Sequence, residues 1–227
     1  MKKLLVAMLV SLMVLLGIAS ADIVGDFTVT GGVNGVDYTF DATTKLLTVT
    51  TGTELTIYTS KTTNHGIVLD PGAGNETNIK LAGVKITATG SYSCIDVKSG
   101  TANITANGDN TLIFSGSDNR AAIHVPYGTK LVRTDNGTGW LYCTVTTGMG
   151  AAIGGNGNSG DKAELNGTII LNSGVNAQVT ATTQPGAAIG TGSSVSGGKN
   201  LLLHLVFAAG GYFFQSREFS RQVQALP

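Results

Sequence analysis

The sequence predicts an all-β protein that winds as a right-handed parallel β-helix of about six coils. Three observations lead to this prediction. A short motif centred on isoleucine returns five times at nearly constant spacing, strand-like segments fill the intervals between its copies, and the composition favours short strands joined by polar turns. Together they predict one coil of about three strands per repeat.

The repeated motif reads HGIVLD, SCIDVK, AAIHVP, GAAIGGN and GAAIGTG. Its copies are separated by 28, 28, 30 and 36 residues, counted between the central isoleucines. These isoleucines are Ile67, Ile95, Ile123, Ile153 and Ile189. In a series of antiparallel hairpins, the same motif should not recur five times at the same position of each unit, whereas stacked coils naturally repeat it once per coil. We therefore expect the isoleucines to form a buried apolar ladder, with coils about 4.8 Å apart.

Segments with alternating apolar residues lie between the copies of the motif. Ile104 alternates with Ala106, for example, and Leu112 with Phe114. Each period holds about three such strands, broken by Gly, Asn, Asp or Ser, which leaves no room for a crossover helix. A small residue precedes each ladder isoleucine and predicts a tight corner where one coil passes close above another. These small residues are Gly66, Cys94, Ala122, Ala152 and Ala188.

The composition supports strands and excludes one class of partner. The chain has 32 glycines and 4 prolines among 227 residues, and it is rich in Thr, Asn, Val and Ile. Such a mixture disfavours long helices. The 14 basic residues balance the 14 acidic residues. Without a basic excess, we do not expect nucleic acid to be a partner.

The two ends of the chain differ from the repeats. Lys2 and Lys3 precede an apolar run, which ends at the small residues Ala19, Ser20 and Ala21. We expect residues 1–21 to be a signal peptide, so that the protein is secreted or displayed at the cell surface. A membrane anchor is the alternative, but the apolar run is short for a bilayer span.

The β-helix domain is expected over residues 22–200. Residues 201–227 read LLLHLVFAAGGYFFQSREFSRQVQALP and depart from the coil pattern. They are interpreted either as an atypical C-terminal cap over the apolar end of the solenoid or as a truncated or frame-shifted end.

The two cysteines, Cys94 and Cys143, allow two interpretations. In an exported protein they could form a disulfide. Cys143 also alternates with Leu141 and Val145, which places it on the apolar side of a strand, where a thiol packs as a small hydrophobic group.

Stacking of the coils should make Asp96 and His124 neighbours on the outer face. A β-helix lyase or hydrolase would need a cluster of carboxylates there. In the next two coils, the residues stacked on Asp96 and His124 are Gly154 and Gly190, which supply no carboxylate. We therefore interpret Asp96 and His124 as a solvated surface pair and expect no catalytic residue.

No metal or cofactor site is expected either. The loop GGNGNSGD partly resembles a calcium-binding nonapeptide, but Asn158 replaces the required aspartate and the motif occurs once. His65 and His204 have no partners at metal-ligand spacing. A simple loop is the favoured interpretation.

Four aromatic residues are the candidate carbohydrate contacts. If Leu141 points into the core, the alternation of side chains places Trp140 and Tyr142 together on the outer face, about 7 Å apart along the strand. Sugars stack on exposed aromatic rings. Tyr92 and Tyr127 are expected on turns at corresponding corners of other coils. The alternative is that these rings cover the apolar edges of turns.

The stretch GMGAAIGGNGNSGDKAELNGTIILNSGVNAQVTATTQPGAAIGTGSSVSGGKN resembles the Gly-rich coils of a bacterial surface family described as carbohydrate-binding-domain-containing proteins. That family is itself similar to the pectate-lyase-like right-handed β-helices. The resemblance covers residues 38–200 and rests on a structural coil signature. It implies a polysaccharide or glycan partner, on a host or cell surface, and hence a carbohydrate-binding, adhesin-like module. The low number of outward carboxylates on stacked strands indicates that this module acts without catalysis. A polysaccharide lyase or glycoside hydrolase of the β-helix type, and a purely structural envelope or fibre element, are the alternatives.

Overall fold

The computed structural model describes residues 21–134, 138–157, 165–172, 176–181 and 186–192. Residues 1–20 of the expected signal peptide and the expected C-terminal segment 201–227 lie outside this range. The described residues form strands, turns and loops and contain no helix, which confirms the all-β class. In that part of the chain, no helix could cross a membrane.

The strands are β1 (Ala21–Val24), β2 (Phe27–Thr30), β3 (Tyr38–Asp41), β4 (Leu46–Val49), β5 (Glu54–Thr59), β6 (Gly66–Leu69), β7 (Glu76–Ala82), β8 (Lys85–Ala88), β9 (Ile95–Val97), β10 (Thr101–Asn107), β11 (Asp109–Phe114), β12 (Ile123–His124), β13 (Lys130–Arg133), β14 (Trp140–Val145), β15 (Ile153–Gly154), β16 (Thr168–Leu171), β17 (Asn176–Ala181) and β18 (Ile189–Gly190).

These strands form three sheets. Sheet A has the order β1-β2-β5-β7-β10-β13-β16, sheet B the order β18-β15-β12-β9-β6-β4-β3, and sheet C the order β17-β14-β11-β8. Each turn of the chain adds one strand to sheet A, then one to sheet C and one to sheet B, and neighbouring turns pair in parallel. The result is a parallel β-solenoid.

The described residues contain about four such turns. They are β7-β8-β9, β10-β11-β12, β13-β14-β15 and β16-β17-β18. The expected six coils are not confirmed. Sheet C has four strands among the described residues, and the strands β3, β4 and β6 of sheet B have no corresponding strand in sheet C.

The isoleucine ladder is confirmed by the strand register. Ile67 pairs with Ile95, Ile95 with Ile123, Ile123 with Ile153, and Ile153 with Ile189. The first four side chains are fully buried, and Ile189 is partly buried against the same core. Burial on this scale is the main stabilising term of the fold.

Backbone hydrogen bonds tie this ladder together from one turn to the next. The N–H groups of the first four isoleucines donate to carbonyl oxygens of the small residues that begin the next rung, at 2.9–3.1 Å. These acceptors are Cys94, Ala122, Ala152 and Ala188. At Gly66, a Cβ atom would lie 3.0 Å from the Ser93 carbonyl oxygen, which is closer than an ordinary van der Waals contact, so even an alanine would require its neighbours to shift slightly.

A second interior ladder, on sheet A, contains a charged residue. Its positions in successive turns are Leu55, Ile79, Ile104, Arg133 and Leu171. Arg133 is 1% exposed. Its Nη1 atom donates to the carbonyl oxygens of Ile104, at 3.2 Å, and Thr134, at 2.8 Å. These bonds compensate part of the large cost of burying a cation among aliphatic side chains.

Asn110 closes the corner between sheets A and C. Its side chain is fully buried. The Oδ1 atom accepts hydrogen bonds from the backbone N–H groups of Gly83, at 3.0 Å, and Val84, at 2.8 Å, in the preceding turn. The Nδ2 atom donates to the carbonyl oxygens of Gly108, at 3.0 Å, and Trp140, at 3.2 Å. One amide thus joins three consecutive turns.

The N-terminal end of the solenoid is built from antiparallel strands, which the sequence did not predict. β1 pairs antiparallel with β2, β2 with β5, and β3 with β4. Tyr38 is buried at this end and its hydroxyl donates to Asp22 at 2.6 Å, which links sheet B to sheet A. Burial and the Asp22 carboxylate raise the pKa of Tyr38 to about 12.

Both cysteines are free thiols and are fully buried. The structure therefore supports the packing interpretation over the disulfide. Burial raises the pKa of Cys94 to about 12, and it also raises the pKa of Cys143. Both groups are consequently protonated and unreactive at neutral pH.

Replacing Ile123 with alanine should lower the free energy of unfolding by about 2–5 kcal/mol, because it leaves a cavity in the middle of the ladder. Urea denaturation followed by circular dichroism measures the loss. Ile113→Ala is the matched control, since Ile113 lies on the outer face of sheet C, and it should cost about 1 kcal/mol or less. Equal losses in the two variants would contradict the assigned inward and outward faces.

Asn110→Ala should destabilise the protein by about 2–4 kcal/mol, because the buried Val84 N–H and the partly buried Gly83 N–H lose their acceptor. Asn103→Ala removes an asparagine that lies on the outer face of sheet A, where water can replace its partners, and we expect a loss near 0.5 kcal/mol. The same denaturation experiment compares them. A loss below 1 kcal/mol for Asn110→Ala would show that the corner does not depend on its amide.

Candidate functional site

The outer face of sheet C carries the aromatic pair. On β14, the alternate residues Leu141, Cys143 and Val145 are buried in the core. Trp140 and Tyr142 therefore lie on the outer face, as the alternation predicts. Trp140 is 41% exposed and Tyr142 is partly exposed. The two rings together place aromatic surface on the outer face of sheet C.

The two rings stack on each other. Their centroids are 5.7 Å apart and their planes are inclined by 14°. Rings lying side by side in one plane at this separation would bring edge carbons to about 3 Å, inside the normal contact distance of about 3.5 Å. The pair is therefore offset-stacked. It offers a sugar the outer face and edges of a stack, and not the two adjacent flat rings that the strand spacing suggested.

Polar side chains border the ring pair. The strand register places Asp109 beside Trp140 and Thr111 beside Tyr142, and Lys85 lies one strand beyond Thr111. In-register neighbours on parallel strands are about 4.8 Å apart, which is within reach of one bound sugar unit. Sequence reasoning did not single out Asp109 or Thr111. The repeat could have identified them, since it aligns β11 with β14.

Tyr92 and Tyr127 are not brought to this face. Tyr92 lies in the connection from β8 in sheet C to β9 in sheet B, and Tyr127 lies in the connection from β12 in sheet B to β13 in sheet A. The expectation that they occupy corresponding corners is therefore wrong, because the two connections join different pairs of sheets. Tyr92 packs against the core and its hydroxyl donates to the Asn64 carbonyl, whereas Tyr127 is 78% exposed.

Asp96 and His124 are neighbours, as the column predicts. They are partners in the strand register, and His124 Nδ1 is 2.7 Å from an Asp96 carboxylate oxygen. The interpretation of a solvated pair is wrong for the histidine, whose side chain is only 11% exposed. The ring is held against Asp96 of the neighbouring turn and does not extend into solvent.

A second charge network lies beside this pair. Lys98 Nζ is 2.8 Å from one oxygen of Asp70, and Ser99 donates to the other oxygen at 2.6 Å. Ser99 in turn accepts a hydrogen bond from the Gly72 N–H at 2.8 Å. The hydrogen bond from Lys98 is the main reason that the pKa of Asp70 is lowered. Because these groups bond to one another, they form a surface ion-pair network. They are not arranged as an acid and a base on either side of a substrate.

The part of the chain that the structure describes contains no group of three or more His, Cys, Asp or Glu side chains that could hold a metal ion. The ion pairs in this part of the chain join Asp26 to Lys61 and His65, Asp70 to Lys98, and Asp96 to His124. Comparison of the chain with protein-family models, with curated proteins and with solved structures gave no match in any of the three. The site geometry is consequently the basis for assigning a function.

We expect Asp96 and His124 to be energetically coupled. A double-mutant cycle of Asp96→Ala and His124→Ala on the free energy of unfolding should give a coupling of about 1.5–3 kcal/mol at neutral pH, as for a hydrogen bond to a charged group. The control cycle uses Asp70→Ala and Lys98→Ala. That pair includes an exposed lysine and should couple by less than about 1 kcal/mol. No coupling between Asp96 and His124 would contradict the 2.7 Å contact.

Proposed function

We propose that this protein is a secreted or cell-surface carbohydrate-binding module, adhesin-like and without catalysis. The observation that carries the proposal is the stacked pair of Trp140 and Tyr142 on the outer face of sheet C. The solenoid interior forces both side chains outward, since Leu141 between them is committed to the core.

The chemistry of this face suits a sugar. Pyranose rings bind aromatic side chains through C–H contacts with the π-face and by burying apolar ring area. Trp140 offers the larger surface, and its stacking on Tyr142 limits the conformational freedom that would be lost on binding. Asp109 and Thr111 lie close enough to hydrogen-bond sugar hydroxyls. The rigid sheet holds these groups in place before the ligand arrives.

The arrangement of carboxylates favours binding over cleavage. A lyase or hydrolase needs an acid and a base placed on either side of the bond that is cut. Among the described residues of sheet B and the turns that follow its strands, Asp70 and Asp96 are each engaged by a cation or an imidazole, and Asp41 accepts hydrogen bonds from backbone N–H groups.

The proposal also includes the localisation of the protein, two additional aromatic contacts and the winding of the solenoid. Export through the N-terminal segment would deliver the module to the cell surface, where its partner is a polysaccharide or glycan. Tyr127 and Tyr92 are kept as additional contacts at separate corners. We take the winding to be right-handed, the hand of nearly all parallel crossover connections, with further coils beyond the four turns bringing the total to about six.

Trp140→Ala should weaken binding of the best hit from a glycan array by about 1–3 kcal/mol, or roughly 5- to 150-fold. Trp140 is the single tryptophan of the chain, so its fluorescence should respond when the parent protein is titrated with that glycan. Tyr58→Ala is the control, because Tyr58 is an exposed ring, 44% accessible, on sheet A. It should bind as the parent does. Unchanged affinity in Trp140→Ala would remove the aromatic pair from the binding site.

A further inference from the structure

We infer that Asp109 determines which class of sugar the aromatic face accepts, selecting neutral and cationic sugars against uronates. The inference rests on the proposed function and assigns a specificity to the same face. It follows from where this carboxylate lies and from how it differs from the other described aspartates.

Among the described residues of sheet C, Asp109 is the charged residue nearest to the ring pair in the strand register. It is exposed and in register with Trp140 on the neighbouring strand, about 4.8 Å away by strand spacing. Lys85 is the other charge among the described outward residues of sheet C, and it is two strands from Tyr142. A sugar that contacts Trp140 therefore meets a negative charge first.

Asp109 is also the aspartate whose carboxylate has no partner within the described part of the chain. Every other described aspartate accepts a hydrogen bond or forms an ion pair there. Carboxylates that are satisfied internally have little to offer a ligand, whereas an open one can accept two hydroxyl groups in charge-assisted hydrogen bonds.

The charge has a predictable effect on ligand choice. An ammonium group on the sugar is attracted to Asp109, a neutral hydroxyl can donate to it, and a uronate carboxylate is repelled. For charges about 7 Å apart in water, the interaction changes affinity by about threefold in each direction. Salt screens it, so the discrimination should shrink at high ionic strength.

The test uses three hexamers with the same β-1,4-linked glucose backbone: cellohexaose, the glucosamine hexamer and the glucuronic acid hexamer. Binding of each to the parent protein is measured at low salt by Trp140 fluorescence. We expect the glucosamine hexamer to bind most tightly and the glucuronic acid hexamer least. Asp109→Asn keeps the shape of the side chain and one acceptor oxygen but removes the charge, and it should weaken glucosamine binding and strengthen glucuronate binding by about threefold each.

Asp118→Asn is the matched control. Asp118 is an exposed aspartate in the connection from β11 to β12, so this variant makes the same change in net charge away from the ring pair. It should leave the ratio of glucosamine to glucuronate affinities at the parent value. An unchanged ratio in Asp109→Asn, or an equal change in Asp118→Asn, would overturn the role of Asp109 while leaving the binding module standing. A parent protein that binds none of the three hexamers but binds another glycan on the array would overturn the assigned selectivity alone, and a parent that binds no glycan at all would overturn both proposals.

Discussion

In-register stacking of successive turns is the constraint on which the rest of the structure depends. Parallel backbone hydrogen bonds hold equivalent residues of neighbouring turns about 4.8 Å apart. Whatever side chain points inward in one turn must therefore pack against its counterpart in the next. Ile67, Ile95, Ile123 and Ile153 satisfy this requirement with identical side chains that are fully buried. Asn110 supports the same stacking from a corner, because its amide bonds to the turns on either side.

The same stacking organises the outer surface. Because side chains alternate along each strand, every inward ladder is flanked by outward columns whose members come from different turns. The contact between Asp96 and His124, the ion pair of Asp70 and Lys98, and the placement of Asp109 beside Trp140 all arise in this way. The scaffold thus converts a periodic sequence into fixed neighbours on a rigid face. A binding role at such a face depends on position more than on any local motif.

The periodicity of the sequence predicts which side chains face inward and which face outward, but it does not predict how the strands pair. The phase of the isoleucines predicts the ladder, and alternation predicts that Trp140 faces outward. Alternation is the same for parallel and antiparallel pairing, so the antiparallel strands at the N-terminal end were not foreseen. Arg133 reads as an outward residue by its chemistry, yet it occupies an inward position and bonds to backbone carbonyls. The burial of His124 and the stacking of Trp140 on Tyr142 depend on side-chain rotamers, which a sequence pattern does not specify.

Methyl NMR of protein labelled only at the isoleucine δ-methyl groups tests the ladder most directly. Single Ile→Val variants assign the signals of the five ladder residues. Stacked parallel turns should give strong nuclear Overhauser effects between neighbours in chain order, such as Ile67 with Ile95 and Ile95 with Ile123, since one rung is about 4.8 Å. Residues two rungs apart, such as Ile67 and Ile123, should show weak contacts or none. Strong contacts between Ile67 and Ile123, or none between Ile95 and Ile123, would contradict the stacked parallel turns.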